Sequence, residues 1–301
     1  MQNTHKNFKQ LAIIGSTASG KTALSIELAK KMNAYILSID SLSIYKEINI
    51  VSAKPTLEER EGVEHFGLDY ISPRDDFDVT VFIELYNKTY AKCLKENKNL
   101  IIVGGTSFYL KMLIEGVSQL PLLSSKTKEE TKKLLFTLSS THQMLYELDK
   151  ESMSKIEPTD RYRMEKVLNI YLETGLMPTQ YFKLHPPLPT IQAPLPIYQI
   201  VWERTLLRER IELRTQLMVE DGLIDEICIL EKKYGRKPNA MKAIGIKETL
   251  AYLDGIYTKK EMIEKITINT SRLAKRQKTF NSSQFTDNIK GSITELREML
   301  L

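Results

Sequence analysis

The sequence predicts an α/β fold: a doubly wound parallel sheet with flanking helices, interrupted by an all-helical insertion. Three observations carry this. Short, fully apolar runs alternate with helical patterns from the start to about Val117. The glycine-rich stretch GSTASGKT, residues 15–22, sits at one run-to-helix junction. Beyond about Ser118 the strand-like runs stop, and Lys- and Glu-rich helical patterns replace them.

Taken in order, Leu11–Ile14, Ala34–Ile39 and Leu100–Val103 read as strands. Each is short, apolar throughout and bounded by Gly, Asp or polar residues, as strands buried on both faces should be. Helices are expected at Thr22–Met32, Val79–Glu96 and Ser107–Glu115. The insertion is expected to carry helices at Lys126–Leu138, His142–Met153 and Asp160–Glu173. Six of the 11 prolines then crowd between Pro178 and Pro196, which reads as an extended return linker. Ile197–Val201 resembles one more strand, and the remainder reads as helical. The expected division is a core domain at 1–118 and 195–301, with the insertion at 119–194.

Composition bounds the function classes. With 42% apolar and 27% charged residues over 301 positions, the chain reads as globular; the formal charge is only +5, but a pI near 8.9 leaves room for a basic surface and favours a nucleic-acid partner. No run approaches eighteen apolar residues and no leader pattern precedes the first strand, so a cytoplasmic protein without a membrane span is expected. Cys93 and Cys228 lie far apart and outside any C-x-x-C pattern, which predicts two reduced, partly buried thiols. The four histidines lack metal-ligand spacing, and His65 reads as structural.

GSTASGKT matches the phosphate-loop pattern G-x-x-x-x-G-K-[ST] in full. Its glycines permit a tight turn, consecutive N–H groups face an anion at a helix N-terminus, Lys21 adds positive charge, and the Thr22 hydroxyl suits Mg²⁺. The second strand ends in SIDSLSIY. Asp40 there is either a carboxylate beside the loop that accepts a proton or orders a metal-bound water, or a helix N-cap. The third strand ends in VGGTSFY, where Thr106 is either a site hydroxyl or the cap of the next helix. That strand lacks the terminal Asp of many nucleotide hydrolases, which argues against an ATPase. In Ser271–Phe280, Arg272, Lys275 and Arg276 share one helical face, and Leu273, Gln277 and Phe280 share another. In Glu203–Met218, Arg204 and Arg208 form one stripe and Arg210 and Arg214 a second, while Leu207, Ile211 and Met218 face the core. The 11 methionines are dispersed and read as core filler.

These pieces together resemble the bacterial tRNA dimethylallyltransferase family, whose members prenylate adenine 37 beside the anticodon. GSTASGKT is similar to that family's GPTASGKT, and SIDSLSIY to its S-x-D-S-x-Q-x-Y. SAKPTLEE resembles its T-A-K-P segment, VGGTSFY its VGGTGLY, and TDRYRMEKVLNIYLETG its N-D-x-x-R-x-x-R stretch. RERIELRTQLMVEDGLIDEI, AIGIKETLAYLDG and TSRLAKRQKTF complete the order. The departures are Ser43 for the usual Gln, Thr159 for Asn, Lys166 for Arg, Ile246 for Tyr and Phe280 for Trp, and no C-terminal zinc module is expected.

The resemblance implies a phosphate-loop kinase relative whose chemistry is alkyl transfer. It implies that Gly15, Ser16, Thr17, Ala18, Ser19, Gly20, Lys21 and Thr22, with Arg204, Arg210 or Arg214, hold the diphosphate of dimethylallyl diphosphate together with Mg²⁺. Asp40 would be the general base and Thr106 its catalytic neighbour. The tRNA anticodon stem-loop would meet Asp40, Ser41, Leu42, Ser43, Thr106, Lys128, Arg161, Arg163, Lys242, Lys247, Arg272, Lys275 and Arg276. A monomer is the default expectation. Three rival readings are a phosphate-loop kinase of small molecules, a prenyltransferase of free adenine nucleotides, and a non-catalytic RNA binder.

Overall fold

The computed structural model describes residues 8–301, in two compact units: the described residues through Lys111 with Ile191–Leu301, and Met112–Thr190. Up to the insertion the chain forms β1 (Gln10–Gly15), α1 (Lys21–Met32), β2 (Ala34–Ser38), β3 (His65–Phe66), α2 (Val79–Glu96), β4 (Asn99–Gly104) and α3 (Ser107–Glu115). The smaller unit holds α4 (Ser125–Leu134), α5 (Leu138–Leu148), α6 (Lys150–Met153), α7 (Arg161–Thr174) and α8 (Pro178–Leu184). The chain then returns through β5 (Ile197–Ile200), α9 (Arg204–Glu220), α10 (Leu223–Tyr234), α11 (Ile246–Leu253), α12 (Lys259–Gln284), β6 (Ile289–Gly291) and α13 (Ile293–Leu300).

The six strands form one sheet in the order β3-β2-β4-β1-β5-β6, and every adjacent pair is parallel. β1 is therefore central, with β4 and β5 as neighbours, and Ile14 stands level with Gly104. Leu11, Ile13, Ile101 and Val103 pack with Leu24, Leu28 and Leu296 of α1 and α13, while the intervening Ala12, Ile14, Leu100 and Ile102 are equally buried. Both sheet faces are thus covered, which is why these strands read as continuous apolar runs rather than alternating ones. The Asp78 carboxylate starts α2 by accepting from the N–H groups of Thr80 and Val81, and left-handed Asn97 ends it.

The doubly wound parallel sheet is as the sequence predicts, with three corrections. β3 and β6 escape the sequence because two or three residues are too few to show a period; each forms by pairing with an existing edge. The proline cluster does not begin as an extended linker: Pro178 occupies the first turn of α8, where its missing N–H costs nothing, and the extended path starts only after Leu184. The stretch expected as one helix at His142–Met153 starts at Leu138 and breaks at Asp149, whose side chain accepts from Ser152 N–H and Thr179. The smaller unit has its own core of Leu135, Leu145, Met153, Met164, Val167, Leu168 and Met177.

Candidate functional site

The phosphate loop spans the end of β1 and the first turn of α1. Ala18 and Gly20 both adopt left-handed backbone, at φ 61° and φ 87°. For Ala18 this is a strained conformation, worth about 1–3 kcal/mol, of the sort that persists where neighbours enforce it. The neighbours are visible. Arg210 Nε donates to Ala18 O at 2.8 Å, Trp202 Nε1 donates to Ser19 O at 3.0 Å, and Lys21 Nζ donates to Ser16 O at 2.6 Å. The Arg210 guanidinium also lies 4.6 Å from the centre of the Trp202 ring. The Ser16, Ala18 and Ser19 carbonyls that would repel an anion are therefore already paired. The Thr17 N–H is taken by Gln277 and the Ser19 N–H by Ser16 O, which leaves the other N–H groups of the loop and the positive end of α1 for an anion.

Three polar groups converge beside the loop. Asp40 follows β2, and its Oδ1 accepts from the N–H groups of Leu42 at 2.8 Å and Ser43 at 3.0 Å. Asp40 caps a turn at 41–44 rather than a helix N-terminus, because no helix starts there: Oδ1 holds the turn, and Oδ2 takes no hydrogen bond among the described residues. Arg214 of α9 reaches Thr17 Oγ1 at 3.4 Å and Ser52 O at 3.5 Å. Burial and, next, the neighbouring Arg214 bring the Lys21 ammonium down to about 7, against the opposing pull of Asp40. Burial likewise lowers the Arg214 guanidinium, with Asp40 again opposing. Lys21, Thr22, Asp40, Ser43, Arg214 and Gln277 line one 90 Å³ cavity together with Gly104 and Gly105. An adjoining 300 Å³ cavity shares Lys21, Thr22 and Arg214 and adds Arg210. Two adjoining hollows lined by cations, with a single carboxylate at the inner one, suit a multiply charged anion and a proton acceptor.

The structure sorts the remaining sequence-predicted residues by place. Arg204 lies away from the loop, in an 820 Å³ cleft along α9 and α12 that also takes in Arg208, Arg272, Lys275 and Lys278 over an apolar floor of Leu207, Ile211 and Ile268. Arg276 is exposed on α12. Thr106 is half-buried at the start of α3 and donates its N–H to Ile39 O at 3.3 Å; Gly104 and Gly105, rather than Thr106, line the inner cavity. Ser41 is exposed and Leu42 half-buried. Lys242 and Lys247 border a separate 340 Å³ depression with Arg236 and Asp254. In the smaller unit Lys128, Arg161 and Arg163 are all exposed; Arg161 also donates to Leu135 O at 2.8 Å and so closes the C-terminal end of α4. Cys93 is buried and Cys228 exposed, so the latter is not the partly buried thiol expected.

Two site residues escaped the sequence reading. Gln277, expected only to pack, accepts from Thr17 N–H at 2.9 Å through Oε1 and donates to Gly105 O at 3.1 Å through Nε2. An amide between Leu273 and Phe280 on an otherwise apolar face was the available signal. Trp202, which closes over the loop, is a lone aromatic just before α9 and carries no local signature. Among the described residues no group of three or more His, Cys, Asp or Glu could hold a metal, and no helix is long and apolar enough to cross a membrane.

A phosphate loop on the central strand of a parallel sheet, facing a carboxylate and two desolvated cations, defines a phosphate-loop enzyme. The IPP transferase family model matches residues 43–284. The tRNA dimethylallyltransferases of Sulfurovum sp. (strain NBC37-1) and Aliarcobacter butzleri are 64% and 53% identical over 293 residues; each match covers 97% of this chain and 97% and 98% of those proteins. The full-length tRNA isopentenylpyrophosphate transferase structure from Bacillus halodurans superposes with a TM-score of 0.70 at 29% identity, covering 98% of this chain and 96% of that one. A eukaryotic dimethylallyltransferase acting on tRNA gives 0.83 at 26% identity, over 96% of this chain and 75% of that one. The chain belongs to the IPP transferase family, the tRNA dimethylallyltransferases, and is a prenyltransferase.

Proposed function

We propose that this enzyme transfers the dimethylallyl group of dimethylallyl diphosphate to N6 of adenine 37 in tRNA and releases diphosphate. The observation that carries this reading is the single cavity holding Lys21 and Arg214 beside Asp40. Cations suit a departing diphosphate, and a carboxylate suits the proton that the amine must lose.

The step balances as a substitution. The N6–C bond forms as the allylic C–O bond breaks, and the electron pair leaves with diphosphate. Asp40 Oδ2 takes the N6 proton while Oδ1 keeps the 41–43 turn in place. Lys21, Arg214 and the loop N–H groups other than those of Thr17 and Ser19 stabilise the charge growing on the leaving oxygens, an effect strongest in a site from which water is displaced. Arg210 holds the loop in shape through Ala18 O.

The donors present fit Mg²⁺: the Thr22 hydroxyl is a hard oxygen beside the cavity, and no carboxylate cage competes for the ion among the described residues. Mg²⁺ held there would neutralise part of the diphosphate charge. Adenine 37 must leave its stack to reach the cavity, as for other enzymes that act on a base. The 820 Å³ cleft with its cations on α9 and α12 supports RNA contact there, and Lys128 and Arg163 support a second contact from the smaller unit. The enzyme acts as a monomer in the cytoplasm.

The test is nucleoside mass spectrometry of tRNA incubated with enzyme, Mg²⁺ and dimethylallyl diphosphate, with and without ATP. N6-dimethylallyl-adenosine should form at position 37, independent of ATP. Conversion of ATP to ADP with no prenylated nucleoside would assign the site to a kinase instead.

A further inference from the structure

We propose that Gln277 is a positioning residue that fastens the phosphate loop to the Gly104-Gly105 turn and thereby fixes the cavity in which leaving group and nucleophile meet. The proposal rests on the function assigned above.

β1 and β4 are adjacent, with Ile14 level with Gly104, so the loop that follows β1 and the turn that follows β4 open side by side. Their own backbones are not joined beyond the strands. Gln277, from the C-terminal third of α12, spans them with both halves of one amide: Oε1 takes Thr17 N–H at 2.9 Å, and Nε2 gives to Gly105 O at 3.1 Å. A second tie lies three residues earlier, where Ser16 Oγ donates to Ala274 O at 3.2 Å. Space at the junction is exhausted. A Cβ on Gly105 would stand 2.4 Å from Gln277 Nε2, so the glycine is required by the amide rather than by its own backbone angles.

The chemistry of the two bonds gives them a purpose beyond packing. Gly105 lines the cavity, and an unpaired carbonyl beside it would repel diphosphate oxygens; Nε2 turns it into a paired acceptor. Thr17 N–H belongs to the loop, and an unpaired amide would let that part of the loop rotate toward whatever acceptor was near. Gln277 thus removes one repulsive acceptor and one loose donor, and it contributes an amide dipole without charge.

Gln277→Met keeps the length and bulk and loses both bonds. Gln277→Glu keeps an acceptor for Thr17, loses the donor to Gly105 and brings a carboxylate to an anion cavity. Steady-state transfer, inorganic pyrophosphate binding by calorimetry, and filter binding of tRNA should be measured for wild type and both variants. Two lost hydrogen bonds of ordinary strength predict a fall of about 10–100-fold in kcat/KM for the allylic diphosphate with Met. Pyrophosphate should bind about 10-fold more weakly to Met and more weakly still to Glu, while tRNA affinity stays within about twofold. Met at wild-type values for both transfer and pyrophosphate, or Met and Glu alike in pyrophosphate affinity, would overturn the proposal. Should one variant not fold, the pyrophosphate affinity of the other decides. If the wild-type enzyme makes no prenylated nucleoside yet binds pyrophosphate in a Gln277-dependent way, the assigned reaction falls and the positioning role stands.

Discussion

Lys21, the proposed diphosphate ligand, is held in the ligand-free protein at a cost. Its ammonium is desolvated, sits beside the half-buried Arg214 guanidinium and is brought down to about 7. The group therefore binds fewer protons folded than unfolded between pH 7 and its ordinary value of 10.5, and stability rises with pH across that window. Lys21→Met should stabilise the ligand-free enzyme near pH 7, by about 1 kcal/mol or more, because a desolvated charge is replaced by an apolar chain of similar length. The gain should vanish toward pH 10, and diphosphate affinity should fall throughout. Thermal melts and pyrophosphate titrations over that range check both signs. At Asp40 one carboxylate oxygen, Oδ1, holds the turn, and the proposed reaction assigns the proton to the other. Asp40→Asn retains an acceptor for Leu42 and Ser43 N–H, so the turn should survive. Turnover should nonetheless drop about 10²–10⁴-fold, the usual contribution of a general base. A single-turnover rate near wild type at saturating substrates would leave Asp40 with the turn alone.

The elements around the cavity are held by contacts remote in sequence. Glu226, on the first turns of α10, accepts from the N–H groups of Asn49, Ile50 and Val51 at 2.9, 2.7 and 3.0 Å. The next residue, Ser52, lines the inner cavity and accepts from Arg214. Glu226→Ala leaves three amides without their carboxylate, a loss of about 1–3 kcal/mol where they are screened from water. The expected result is a lower Tm and a several-fold higher KM for the allylic diphosphate with tRNA affinity unchanged; melting curves and substrate titrations measure it. α9 works on two sides. Arg210 and Arg214 border the cavities at the phosphate loop, while Arg204 and Arg208 line the cleft shared with α12. Under the proposed function one helix would serve a diphosphate and an RNA backbone through stripes about 120° of helical rotation apart.

Across the whole molecule, two separate cores imply two separable stabilities. Leu145 is fully buried in the core of the smaller unit. Leu145→Ala should cost that unit about 2–5 kcal/mol. Hydrogen exchange should speed up across 112–190 while the amides of β1 and β4 keep their protection; uniform loss of protection would show one cooperative unit instead. Lys128 and Arg163 are exposed on this unit, and Arg163 is only loosely tied to Asp160 at 3.5 Å. Replacing both with Ala should weaken tRNA binding and lower the slope of log affinity against log salt by about 1–2, since fewer counterions are released. Pyrophosphate affinity should stay as it was, because Lys21, Arg210 and Arg214 belong to the larger unit. An unchanged slope would remove the smaller unit from the RNA interface.

The sequence by itself determined the sheet strands that are buried on both faces, the helix boundaries at Val79–Glu96 and Ser107–Glu115, the phosphate loop and the candidate carboxylate. Each is written locally, as an apolar run, a cap such as Asp78, or eight contiguous residues of one motif. The family resemblance extended that reading to residues whose spacing alone says little, such as Arg214. What local pattern could not reveal is which side chains meet across long separations. Only the tertiary structure brings Gln277 to Thr17 and Gly105, Trp202 to Ser19, and Glu226 to the 49–51 turn. It also divides Arg204 from Arg210 and Arg214, three arginines that look equivalent along one helix. The short strands β3 and β6 belong to the same class, since they exist by pairing with an edge already in place. A hydrogen bond between groups more than 150 residues apart depends on the whole path of the backbone between them, and no window of the sequence contains that path.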